Sequence, residues 1–184
     1  MSKTALVLLA DGSEEMEGVI SIDILRRAKV DVTVASVMES DIVQCSRNVM
    51  VKADTNLQSV KDKLFDVVVL PGGLGGADQF AKNSTVREVL KAHQTAGKFI
   101  AAICAAPTVL QAHGIAKGKR ITSYPSVREK LEGDYVYLED RVVRDGNIIT
   151  SRSPGTAFEF AFEIVNALIG ADCVKKLSDE MLCK

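Results

Sequence analysis

Three short stretches of this chain carry residues able to do chemistry. In IAAICAAPTVL (100–110) an apolar run delivers one cysteine, Cys104, and then turns through Ala-Ala-Pro into a second apolar segment. A strand–nucleophile–helix turn exposes a side chain at a sheet edge and aims helix amides at it. The amides and the helix dipole favour negative charge, so the turn is expected to lower the thiol pKa toward the reactive thiolate. The bland reading is a small buried hydrophobe, the commonest use of a free cysteine. In PGGLGG (71–76) the spacing is neither GxGxxG nor GK[ST], which speaks against a phosphate loop. Consecutive glycines instead let backbone amides approach a reacting centre, and the N–H groups of Gly73 and Ala105 could together cradle an oxyanion. A tight strand–helix connection would need the same glycines. In DGSEEME (11–17) the carboxylates Asp11, Glu14, Glu15 and Glu17 suit the first turn of a helix on dipole grounds alone. One of them held against Cys104 would be an acid/base, with a raised pKa if it stays protonated. Spacing does not choose among Glu14, Glu15 and Glu17.

The elements that must position these stretches alternate in type. TALVLLA (4–10), VDVTVAS (30–36), FDVVVLPGG (65–73) and KFIAAI (98–103) read as buried strands. EMEGVISIDILRRA (15–28) reads as a helix with an apolar face of Met16, Val19, Ile20 and Ile24. IVQCSRNVMVKAD (42–54) gives two short strands around Ser-Arg-Asn, and RVVRDGNIITS (141–151) a hairpin with Asp-Gly at its turn. STVREVLKAHQTAG (84–97) is a helix with Ser84 as N-cap and Gly97 as its stop. A helix follows Cys104 with Pro107 in its first turn and Gly114 at its end. A long helix over 153–170 and a short terminal one complete the pattern. The alternation predicts a single α/β domain over residues 1–184 with a mostly parallel, doubly wound sheet. Such folds work in the crevice beyond the carboxyl ends of their strands, where all three stretches fall.

Composition narrows the choices. The 184 residues are 47% hydrophobic and 26% charged, with a formal net charge of -1 and no Trp. That is a globular balance with a core of Val, Ile, Leu and Ala. No basic block suggests nucleic acid or anionic lipid, and no apolar run reaches membrane-spanning length. The apolar stretch Ala5–Ala10 is too short for a secretory signal, so cytoplasm and free thiols are expected. Cys45, Cys104, Cys173 and Cys183 form no CxxC and no metal-ligand spacing with the two histidines. Cys45 lies beside a turn, and partial exposure is expected there. His93 and His113 fall near helix C-termini, where dipole contacts explain them better than a Cys–His dyad does.

Together, ALVLLADGSEEME, LPGG, AAICAAPTVL and TSRSPGTAFEFA resemble the PfpI superfamily, and within it the deglycase branch, over nearly the whole chain. The resemblance implies a flavodoxin-like α/β sandwich that pairs as a homodimer. It matches Cys104 to the reactive cysteine at the elbow and Glu17 to a protonated glutamate hydrogen-bonded to it. It matches Gly73 and Ala105 to the oxyanion donors. Arg47 and Arg27 match arginines near the site and the dimer interface, Cys45 a secondary oxidisable cysteine, and Pro154 a loop approaching the site. The implied activity is cofactor-independent: glyoxalase conversion of methylglyoxal to lactate, or deglycation of early adducts on side chains, with protection against oxidative stress. The implied alternative is a redox sensor, with chaperone or signalling roles, whose Cys104 oxidises to sulfinic acid without turnover. The resemblance adds nucleus and mitochondrion to the cytoplasm. There is one departure. Where many members carry a histidine, this chain has Tyr124, a poor general base at neutral pH, which argues against a peptidase.

Overall fold

The computed structural model describes residues 2–183. The chain opens with strand β1 (Thr4–Leu9), helix α1 (Glu15–Arg27) and strand β2 (Asp31–Ser36). A small hairpin, β3 (Ile42–Gln44) with β4 (Met50–Lys52), leads to β5 (Thr55–Asn56) and β6 (Val67–Leu70). Helices α2 (Leu74–Lys82) and α3 (Ser84–Thr95) precede β7 (Phe99–Ile103) and α4 (Pro107–Ala112). The last third holds β8 (Arg120–Ile121), α5 (Arg128–Leu131), β9 (Val136–Tyr137), β10 (Val142–Asp145) and β11 (Ile148–Ser151). Helices α6 (Ala157–Leu168) and α7 (Ala171–Glu180) follow.

Seven strands form one sheet in the order β10-β11-β7-β6-β1-β2-β5. Every pair is parallel except β10 with β11. Period-2 alternation along β1 divides the interior: Leu6 and Leu8 join one core with Phe80, Leu90 and Leu110, while Val7 and Leu9 join the other with Ile24, Phe160 and Ile164. Helices therefore cover both faces of a doubly wound, flavodoxin-like sheet. From β1 the chain runs outward to β2 on one side, then returns to β6 on the other. The carboxyl ends of β1 and β6 thus flank a topological switch point.

Four local expectations are corrected. The buried face of α1 is Glu15, Glu17, Gly18, Ser21, Ile24 and Leu25, while Met16 and Val19 are 53% and 49% exposed. The helix lies close to the sheet through small Gly18 and Ser21 and keeps a carboxyl inside, so its stripe follows the site rather than hydrophobicity. Helix α2 was not expected, because glycines 75 and 76 in its first turn are poor helix formers. The N-cap of α3 is Asn83, whose side chain accepts the N–H groups of Thr85 and Val86. Both histidines stand at helix C-termini as expected, His93 in the last turn of α3 with Nδ1 2.7 Å from the Val89 carbonyl oxygen and His113 as the C-cap of α4, but not as charged partners of a dipole. Both are buried and held below the usual imidazole pKa by that burial, so they are neutral hydrogen-bonding residues. His93 Nε2 accepts the Phe65 N–H at 2.9 Å, and His113 Nε2 lies 3.0 Å from the Phe80 carbonyl oxygen.

Candidate active site

Strand β7 ends at Ile103 and the backbone turns at Cys104 with φ of 64°, left-handed and unfavourable for a side-chain-bearing residue. Its neighbours hold it there. The Cys104 N–H donates to the Ser151 carbonyl at 3.0 Å, and its own carbonyl accepts the Tyr124 N–H at 2.9 Å. Such strain costs on the order of 1–3 kcal/mol and persists only where surrounding structure fixes it. Pro107 at the first position of α4 then takes the chain away from the thiol.

Helix α1 brings Glu17 to the same point. Its side chain is fully buried, and Oε2 accepts the Gly72 N–H at 2.7 Å. Burial raises its pKa to about 7, against the lowering influence of the Gly72 N–H and of the Cys104 hydrogen bond, with Glu14 adding a smaller upward push. Burial also pushes the Cys104 thiol up to about 12, aided by the Glu17 charge and hydrogen bond, while the Gly73 and Ala105 N–H groups act in the opposite sense. The expected lowering by the turn into α4 is therefore overruled. That helix is six residues long, and desolvation beside a carboxylate outweighs its amides. The two groups titrate as a pair. With the proton on Glu17 the charge repulsion disappears.

The glycines are fitted to this pair. A Cβ on Gly72 would lie 2.6 Å from the Cys104 Cβ and 2.8 Å from Glu17 Oε2. Gly73 adopts φ of 79°, and a Cβ there would strike the Gly12 carbonyl oxygen. Gly72 was absent from the residues proposed from sequence, although its place after the strand in LPGG was the available signal. Glu14 and Glu15 are occupied elsewhere. The Ser46 hydroxyl donates to both carboxylates, and the Arg47 N–H donates to Glu15 Oε1 at 2.9 Å. Among the three glutamates, only Glu17 meets the thiol.

A cavity of about 530 Å³ opens over the sulfur. Gly73, Cys104, Ala105, Arg47, Tyr124 and Pro154 line it, together with Gly12, Glu14, Ser46, Leu74 and Gly75. Pro154 stands at the start of a 3-10 turn, Pro154–Thr156, after β11. Tyr124 is 43% exposed. Arg27 is not brought here. It lies at the far end of α1, paired with Asp23 at 2.6 Å. Cys45 is buried rather than partly exposed, and burial, with Glu15, Glu14 and Asp11 nearby, pushes its thiol up to about 11. Among the described residues no group of three His, Cys, Asp or Glu side chains could hold a metal ion, and no helix is long and apolar enough to cross a membrane.

A thiol on a strained elbow, beside a buried carboxyl at the switch point of a doubly wound sheet, defines a class of α/β proteins with a cysteine at the strand–helix elbow. Within that class the chain belongs to the DJ-1/PfpI family, whose profile matches residues 3–167. It is 51% identical to protein dj-1beta of Drosophila melanogaster over 183 residues, covering 99% of this chain and 98% of that one. The crystal structure of that fly protein superposes with a TM-score of 0.98 over 100% of both chains. A glutathione-independent glyoxalase of Caenorhabditis elegans, DJR-1.2, is 41% identical over 95% of this chain and 94% of its own. The structure of oxidized DJ-1 of Toxoplasma gondii, 39% identical, matches with a TM-score of 0.95 over 98% of each chain.

Proposed function

We propose that this protein is a cofactor-independent cysteine enzyme acting on reactive carbonyls, converting methylglyoxal-type 2-oxoaldehydes to 2-hydroxy acids and removing the same adducts from side chains. The observation that carries the reading is the fully buried Glu17 carboxyl held on the Gly72 N–H beside the Cys104 side chain, with its pKa raised to about 7. The 41% identity to a relative named as a glutathione-independent glyoxalase supports it. In the reaction, the sulfur of Cys104 adds to the aldehyde carbon and Glu17 supplies the proton that makes a hemithioacetal. Glu17 then takes the C1 hydrogen as a proton and returns it to C2, while the hemithioacetal hydroxyl proton passes to the former ketone oxygen. The aldehyde carbon is thereby oxidised to a thioester and the ketone carbon reduced to an alcohol, with no external redox partner. Water cleaves the thioester to release the hydroxy acid and the thiol. The Gly73 and Ala105 N–H groups, already acting on the sulfur, face the oxygen that becomes negative in the addition and hydrolysis steps.

The test follows methylglyoxal loss and lactate formation in wild type, Cys104→Ser and Glu17→Gln at neutral pH. Saturable turnover that vanishes in the first variant and falls about 100-fold or more in the second supports the assignment. Equal slow loss in all three would mean adduct trapping and would sink it.

A redox-sensor reading also has support, from the relative solved in an oxidized form and from the Gly73 and Ala105 amides, which would receive sulfinate oxygens. Stoichiometric peroxide consumption without dicarbonyl turnover would favour it. The chain is further proposed to pair with a second copy. Exposed Met16 and Val19 on α1, with exposed Ile42, Val49 and Met50 on the neighbouring hairpin, offer an apolar surface for this. The four unpaired cysteines accord with a reducing compartment, and the cytoplasm is the proposed location.

A further inference from the structure

Tyr124 has a cavity on each side. One is the thiol's. The other, about 370 Å³, is walled by Tyr124, Pro125, Glu139, Arg141, Arg152 and Ser153. Small dicarbonyls leave most of this combined space unused.

The charges of this annex are unevenly satisfied. Arg141 is spent: its Nε donates to both oxygens of Glu159 at 3.0 and 2.8 Å, and a terminal nitrogen donates to the Gly155 carbonyl at 2.7 Å. The Glu139 carboxylate is taken by Arg128 at 2.7 Å. Arg152 differs. One terminal nitrogen donates to the Glu139 backbone carbonyl at 2.6 Å, and no carboxylate among the described residues lies within ion-pair distance of it. A guanidinium anchored by a carbonyl keeps its full charge and its remaining N–H donors, in the planar fork that suits a carboxylate.

We propose that this annex is a subsite for a carboxylate on the substrate. It binds the anionic end of a larger 2-oxoaldehyde to Arg152 while the carbonyl meets Cys104, with Tyr124 common to the lining of both cavities. The inference deepens the carbonyl-enzyme reading and rests on it. Arg47, which lines the thiol's cavity, also has no side-chain ion pair with a carboxylate among the described residues and is the internal rival for the same charge.

The experiment compares phenylglyoxal with 4-carboxyphenylglyoxal, two near-isosteric substrates differing by one carboxylate, in wild type, Arg152→Gln, Arg152→Lys and Arg47→Gln. In wild type KM should be lower for the carboxylated substrate, on the order of tenfold for one charge-assisted contact. Arg152→Gln should bring the KM ratio to about one while kcat on phenylglyoxal is kept, and Arg152→Lys should restore part of it. A wild-type ratio near one, a ratio untouched in Arg152→Gln, or a ratio lost only in Arg47→Gln would overturn the proposal. A titration of Cys104→Ser with terephthalate, read by NMR shifts, separates the two readings. Binding that requires Arg152 in a protein without turnover keeps the subsite and removes the enzyme. Turnover together with no Arg152-dependent terephthalate binding keeps the enzyme and removes the subsite.

Discussion

At Glu17 the proton has opposite consequences for activity and for stability. The reactive state is the pair carrying one proton, so kcat/KM should rise with pH up to about 7 and then level, and Glu17→Gln should abolish that inflection. A pH–rate profile of both proteins checks this. For stability, the folded value of about 7 lies above the 4.5 of a free glutamate. Between those values the folded chain holds a proton that the unfolded chain has lost. The stability tied to that proton is full below about pH 4.5 and is lost as pH rises through 7. Glu17→Gln is neutral throughout, so it should resist urea better than wild type above pH 7, by up to about 3 kcal/mol, and show little difference near pH 4.5. Gly72→Ala tests the close approach. Its methyl would crowd the Cys104 side chain, the Glu17 oxygen and the Ile103 carbonyl oxygen at once, so turnover should fall more than about 100-fold and stability should fall with it. Sequence motifs led to Cys104, and family resemblance singled out Glu17 among three glutamates. The direction of the thiol's pKa was not legible, because burial is a property of the packed chain.

Among the elements, the strands were the easiest to read, and β1, β2, β6 and β7 stand within a residue or two of where apolar runs end at charged or glycine-rich positions. Helix faces were harder. The stripe of α1 was misread because its sequence is apolar on the side that the single chain leaves exposed. Helix α2 was missed because a glycine-rich first turn serves the site at the expense of helix propensity. The cap of α3 was misplaced by one residue. Asn83→Ala, which removes the acceptor for two N–H groups, should cost about 1 kcal/mol in a denaturant melt and leave turnover unchanged. Part of the annex wall, Tyr124, Pro125 and Glu139, falls in 115–140, where the short pieces β8, α5 and β9 show no sustained periodicity from which a cavity could be read.

For the whole molecule, the doubly wound sheet was legible from alternation alone, yet the exposed apolar face of α1 and its hairpin was not, since hydrophobicity does not say which core it will join. Replacing Met16 and Val19 together by Glu should shift sedimentation from dimer to monomer, and a wild type that already sediments as a monomer would dispose of the pairing proposal. The backbone bond from Cys104 to Ser151 bears on how the molecule is made. On a ribosome the thiol emerges with β7, while the strand that fixes its elbow is synthesised last of the sheet. Until β11 docks, the nascent chain carries an ordinary flexible cysteine with an unperturbed pKa of about 8.5. The period of synthesis is therefore when this thiol meets alkylating carbonyls without the shelter that the finished fold provides.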